Sequence, residues 1–150
     1  MDFEKYAQKS RELIQKLSAE LSCSEDSAGR IIRSFLHGLR NRLPLNESFH
    51  IISQLPMGLK AVYVDGWKPD RPFIRIRHLG ELMEEIRRED GSCAAMDYGN
   101  DEKMKEVLAA VFRTLNYYVS RGEMEDLTDS LPEDIRTFIQ HTLGETKSVL

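Results

Sequence analysis

The chain resembles itself. Sliding the sequence by 76 positions puts Leu39 on Leu115, Glu47 on Glu123, Leu55 on Leu131 and Pro56 on Pro132. The same offset pairs Ile32 with Leu108, Phe35 with Val111, Leu36 with Phe112, Leu43 with Val119, Ile51 with Leu127, Leu59 with Ile135 and Val62 with Phe138. Few identities persist, but the apolar rhythm does, and it has the three-and-four spacing of amphipathic helices. The expectation is an all-α protein of two tandem pseudo-symmetric repeats, about four helices each, on one shared core. Their ranges are 1–66 and 78–143, with a linker at 67–77, in a single domain spanning 1–150. Half a chain of this length would be marginal alone, whereas 150 residues can bury a sizeable core.

Local signals place the helices. Phe3, Ala7, Ser10, Ile14, Leu17 and Leu21 form one stripe behind Asp2 as cap. Ser24 with Glu25 and Asp26, and Asn100 with Asp101 and Glu102, open two central helices alike. The first ends at Leu43, because Pro44 disfavours helical geometry before it. Asn46 is positioned to cap a short helix to Gln54, Pro56 to lead Met57–Val64, and Gly66 to end it. In the second half Leu79–Ile86 form the opening helix, stopped by Asp90-Gly91-Ser92, and Met96–Gly99 read as loop. Ser120 with Glu123 makes a capping box, and the last helix runs from Pro132 to about Gln140.

Tyr63-x2-Gly66-Trp67-x-Pro69, followed by Arg75-x-Arg77-His78, stands with Leu39-x3-Leu43 and Gln54-Leu55-Pro56 in an ordered set. Asp2-Phe3-x2-Tyr6 and Gly122-Glu123-x2-Asp126-Leu127-x3-Leu131-Pro132 extend it to both ends of the chain. In this set the sequence resembles the bacterial family of uncharacterised proteins known as domain of unknown function 2267. The resemblance implies an all-helical soluble protein and brings no activity, cofactor or catalytic residue with it.

Charge is distributed unevenly. The net value is −4, and residues 89–150 carry six Lys/Arg against thirteen Asp/Glu. Such a chain is repelled by phosphate backbones, so nucleic acid is a disfavoured partner. No signal segment or membrane-length apolar run is present, and Cys23 and Cys93 lack zinc or redox spacing, so a cytoplasmic protein with reduced thiols is expected. Cys23, just before a helix, is the best reactive thiol, though Glu25 and Asp26 beside it oppose a thiolate. His37, His50, His78 and His141 are scattered, and there is neither a phosphate loop nor a nucleophile elbow. No catalytic residue, metal or cofactor is expected.

The linker is the most suggestive surface, because Lys68, Arg71, Arg75, Arg77 and His78 interleave with Trp67, Phe73 and Ile76. Such a stretch can stack a base or hold a partner. The favoured arrangement packs Trp67 and Phe73 inward over the seam between the repeats, with the arginines facing water. Residues 73–77 alternate like a strand, yet a lone strand has no partner in the chain, so extended loop is expected. By exclusion the function is that of a non-enzymatic interaction or scaffold module for another protein. The alternatives are a nucleic-acid binder using the linker and an enzyme with an unrecognised site.

Overall fold

The computed structural model describes residues 1–148, with side chains described to Gly144, and every regular element among them is helical. The order is α1 (Phe3–Leu21), α2 (Glu25–Asn41), α3 (Leu45–Gln54), α4 (Met57–Val64), α5 (Leu79–Asp90), a 3-10 turn (Gly91–Cys93), α6 (Ala94–Tyr98), α7 (Asp101–Tyr118), α8 (Arg121–Asp129) and α9 (Glu133–Ser148). The starts of α1 to α4 recur at α5, α7, α8 and α9, each 76 residues on.

The caps follow from residue chemistry. Asp2, Ser24 and Asn100 accept from the main-chain N–H three residues on, at 3.1, 3.1 and 2.8 Å. Ser120 and Glu123 bond each other's main chain reciprocally at the start of α8. Pro44 and Pro56 occupy the cap positions of α3 and α4, where the missing N–H costs nothing.

Packing is crossed between the halves. α5 lies along α2, α1 lies on α7, and α3 meets α8, while α4 rests on α1 and α2 and α9 rests on α7. One apolar cluster joins the halves, with Phe35 and Phe112 edge to face at 5.3 Å. Leu39 and Leu115 are each 1% exposed, and a buried leucine of this kind contributes roughly 1.5–3 kcal/mol. Gly38 permits the close approach of α2 and α5, since a Cβ there would lie 2.7 Å from Ile86 Cγ1.

Several expectations are corrected. Of the α1 stripe only Leu17 is buried, with Ser10, Ile14 and Leu21 half-buried and Phe3 73% exposed; Leu13, buried beside Leu17, lies outside the expected stripe. Near its amino end Tyr6 and Ser10 meet α4 at Gly58, and the surface around Phe3 and Ala7 is not covered. α3 begins at Leu45, so Asn46 lies within its first turn and is not its cap. Met96–Tyr98 are helical, because Asp97 and Tyr98 are drawn onto α2 by polar contacts. α9 continues to Ser148, past the expected end near Gln140.

Candidate functional site

The linker is anchored by polar groups more than by its aromatic residues. Gly66 takes a φ of +69°, and Arg40 donates to the carbonyls of Tyr63 and Asp65 at 2.8 and 2.5 Å, closing the end of α4. Trp67 then sets its edge against Tyr63 and Phe49, at 5.7 and 6.3 Å between ring centroids. Both rings belong to the first half, so Trp67 is half-buried on α3 and α4 and is not sealed in the seam. Tyr63 beneath it is fully buried; its hydroxyl lies 2.6 Å from Ser48 Oγ, and burial pushes its pKa up to about 12.

Phe73 does not pack inward as expected; it is 43% exposed, and Ile74 is 76% exposed. The inward anchor is Ile76, fully buried, whose N–H donates to the Arg42 carbonyl at 3.0 Å. The reason lies at the end of α2, where the Arg42 guanidinium donates to the Ile74 carbonyl and reaches Glu81 at 3.2 Å and Glu85 at 3.5 Å. These bonds fix residues 74–76 from below and leave Phe73 outside. Arg75 is paired with Glu47 at 2.8 Å. The main-chain N–H groups of Arg77 and His78 donate to Glu81 Oε1 at 3.2 and 3.1 Å. The bond from Arg77 is the largest cause holding the Glu81 carboxyl below its ordinary pKa.

What remains is a cleft of about 760 Å³ between the linker and the α2–α5 pair, lined by Trp67, Lys68, Arg71 and Phe73 with Arg40 and Glu89. The structure thus brings together Trp67, Lys68, Arg71 and Phe73. Arg75 and Arg77 face a second cleft, of about 780 Å³, bounded by α3, α8 and the start of α9. His78 sits at the amino end of α5. Among the described residues the side chains of Lys68, Arg71 and Arg77 have no hydrogen-bond or ion-pair partner, and all three residues are exposed. Leu45, Phe49, Phe73 and Ile74 add exposed apolar surface around Trp67.

Sequence reasoning missed a buried polar cluster. Asp97 on α6 is inaccessible and receives Arg30 in a fork, Nε to Oδ2 and Nη2 to Oδ1 at 2.9 Å each, and the Ser27 hydroxyl at 2.5 Å. Burial pushes its carboxyl up, but hydrogen bonds from Arg30 and Ser27, together with the neighbouring Asp90, outweigh this and hold it below the ordinary range. Asp90 ends α5 beside it, and burial, with the neighbouring Asp97, raises its pKa to about 7. The Tyr98 hydroxyl donates to the Ile31 carbonyl at 3.1 Å and lies 2.7 Å from Ser34 Oγ. This cluster clasps α6 to α2. Its partners are 64 to 70 residues apart, so no local spacing announces them.

The histidine set does not assemble. His37 is buried, with Nε2 2.7 Å from the Val62 carbonyl, and burial lowers its pKa. His50 lines the second cleft. Among the described residues no group of three or more His, Cys, Asp or Glu side chains converges as a metal site would require, and no helix is long and apolar enough to cross a membrane. Cys23 and Cys93 are free, half-buried thiols.

No curated protein matches the chain. A family model described as "Uncharacterized conserved protein (DUF2267)" matches residues 10–138, which include α2 to α8, the linker and both clefts. The chain therefore belongs to the DUF2267 family.

Proposed function

We propose that the chain is a non-enzymatic interaction module of the bacterial cytoplasm, built from two copies of one helical unit and presenting its linker face to another protein. Recurrence of four helix starts at one offset supports the duplication. So does the pairing pattern, in which exchanging the halves turns α1 on α7 into α5 on α2, and α2 with α4 into α7 with α9. Each opening helix thus packs on the other copy's central helix. The free thiols fit a reducing compartment.

One observation carries the functional reading: exposed Phe73, Ile74, Phe49 and Leu45 surround Trp67 beside unpaired Lys68 and Arg71. Aromatic and cationic side chains grouped with exposed apolar residues around a cleft are the composition of a protein-binding surface. A second reading, nucleic-acid binding, draws on the same unpaired cations beside a tryptophan. It is disfavoured because the chain as a whole carries a net charge of −4 and Glu47 neutralises Arg75.

The test compares partner capture by the native chain and by a Phe73→Ser/Ile74→Ser variant of unchanged circular dichroism. Partners held by the native chain and lost by the variant are expected; equal retention overturns the assignment of this face. Salt-sensitive binding of a labelled oligonucleotide, removed by Lys68→Ala/Arg71→Ala, would replace the protein partner with nucleic acid.

A further inference from the structure

The segment 72–77 has no regular structure, and within residues 73–76 its main chain is engaged at two groups. The Ile76 N–H donates to the Arg42 carbonyl at 3.0 Å, and the Ile74 carbonyl accepts from Arg42 Nε. Groups two residues apart that turn to the same side have the spacing of an extended chain, and in that geometry the N–H and C=O of Phe73 and Arg75 face the opposite way. Among the described residues no hydrogen bond engages those four groups. The edge is bounded at its far end, where the Arg77 N–H is taken by Glu81. Ile76, fully buried, holds the edge in place before any partner arrives.

An exposed, extended backbone with unpaired donors and acceptors is a template for one more strand. Resting on the interaction-module reading above, we infer that Phe73–Arg75 captures an extended segment of a partner protein by strand addition. The segment is acidic at the end that lies over Lys68 and Arg71 and apolar where it crosses Phe73 and Ile74. Charge sets this polarity. Around Lys68 and Arg71 the cleft adds Arg40, Arg42 and Arg88 against Glu85 and Glu89, whereas on the other side Glu47, Asp126, Asp129 and Glu133 outnumber Arg75, Arg77 and Arg136. Main-chain bonds supply affinity, and the two charge environments fix direction.

The probe is the blocked hexapeptide acetyl-Asp-Glu-Val-Thr-Val-Thr-amide, titrated into the full chain and followed by amide nuclear magnetic resonance. The Phe73 and Arg75 amide resonances should shift most. Arg75→Pro deletes the N–H while Ile74 before it stays extended, and should weaken binding about tenfold or more. Arg75→Ala, which loses only the side chain and its pairing with Glu47, should bind within about threefold of native. A peptide N-methylated at both valines should fail, and Lys68→Glu/Arg71→Glu should weaken the native peptide about tenfold.

Equal binding by Arg75→Pro and Arg75→Ala, or by the N-methylated peptide, overturns strand addition; if Lys68→Glu/Arg71→Glu still abolishes binding, the docking face itself stands. Absence of any shift at Phe73 and Arg75 at millimolar peptide overturns the inference outright. Shifts of these amides with protein concentration alone would make the occupant a second copy and overturn the foreign segment. Failure of the module reading is separate, appearing as partner capture indifferent to Phe73→Ser/Ile74→Ser.

Discussion

Gly58 of α4 lies directly against Ser10 of α1: a Cβ on the glycine would stand 1.8 Å from Ser10 Oγ, which itself donates to the Tyr6 carbonyl at 2.9 Å. Gly58→Ala must therefore swing Ser10 Oγ off the Tyr6 carbonyl or push α4 off α1, and should cost about 1–3 kcal/mol in urea unfolding. Gly29 in α2 meets nothing within 4 Å, so Gly29→Ala should stabilise by about 0.5–1 kcal/mol through helix propensity alone. Equal effects of the two changes would contradict the packing of α1 on α4.

Leu39 and Leu115 are both buried, and truncation of either to Ala should cost about 2–5 kcal/mol. Because one core joins the halves, unfolding followed by Trp67 fluorescence should coincide with unfolding followed by helical circular dichroism. Separate transitions would mean that the halves unfold independently.

Trp67 itself is half-buried, so Trp67→Ala should cost about 1–3 kcal/mol, less than a fully enclosed indole. Its fluorescence should be partly quenched by acrylamide, and an occupant of the cleft should protect it. Complete shielding in the free protein would place the ring deeper than its contacts with Tyr63 and Phe49 allow.

The Asp90–Asp97 pair predicts a pH dependence with opposed limbs. Asp90 has a folded pKa of about 7 against an ordinary 3.8, so between these values the folded state holds a proton that the unfolded chain lacks. Its contribution to stability therefore falls as pH rises from about 4 to about 7. Asp97 is held below its ordinary value, so its contribution is present at higher pH and is lost on acidification below about 4. Asp90→Asn should remove the falling limb, keep the acid limb, and be relatively more stabilising at about pH 8 than at about pH 4. His37, buried and neutral, adds stability that is lost as pH drops below 6.5 in both proteins, so the difference between their urea midpoints isolates the pair. A difference independent of pH would show that Asp90 titrates normally.

Positions such as Leu39, Leu115, Ile51 and Leu127 were legible because burial imprints a helical period on the chain. Caps at Asp2, Ser24, Asn100 and Ser120 were legible because their bonds are local. The linker offered no period to say which of Phe73, Ile74 and Ile76 turns inward; that choice is made by Arg42, more than thirty residues away. Likewise Asp97 looked like one more surface acid in an acidic half. Only the fold brings Arg30 and Ser27 to it and turns residues expected as loop into α6.

The crossed packing also sets an order of events during synthesis. α1 leaves the ribosome about a hundred residues before the end of α7, the helix it lies on, is made. At roughly 5–20 residues per second α1, which also rests on the earlier α2 and α4, waits about 5–20 s for α7 to complete its cover. During that interval the α7 of a neighbouring nascent chain on the same message is an equivalent surface, so slow or crowded translation should favour exchange of opening helices between two chains.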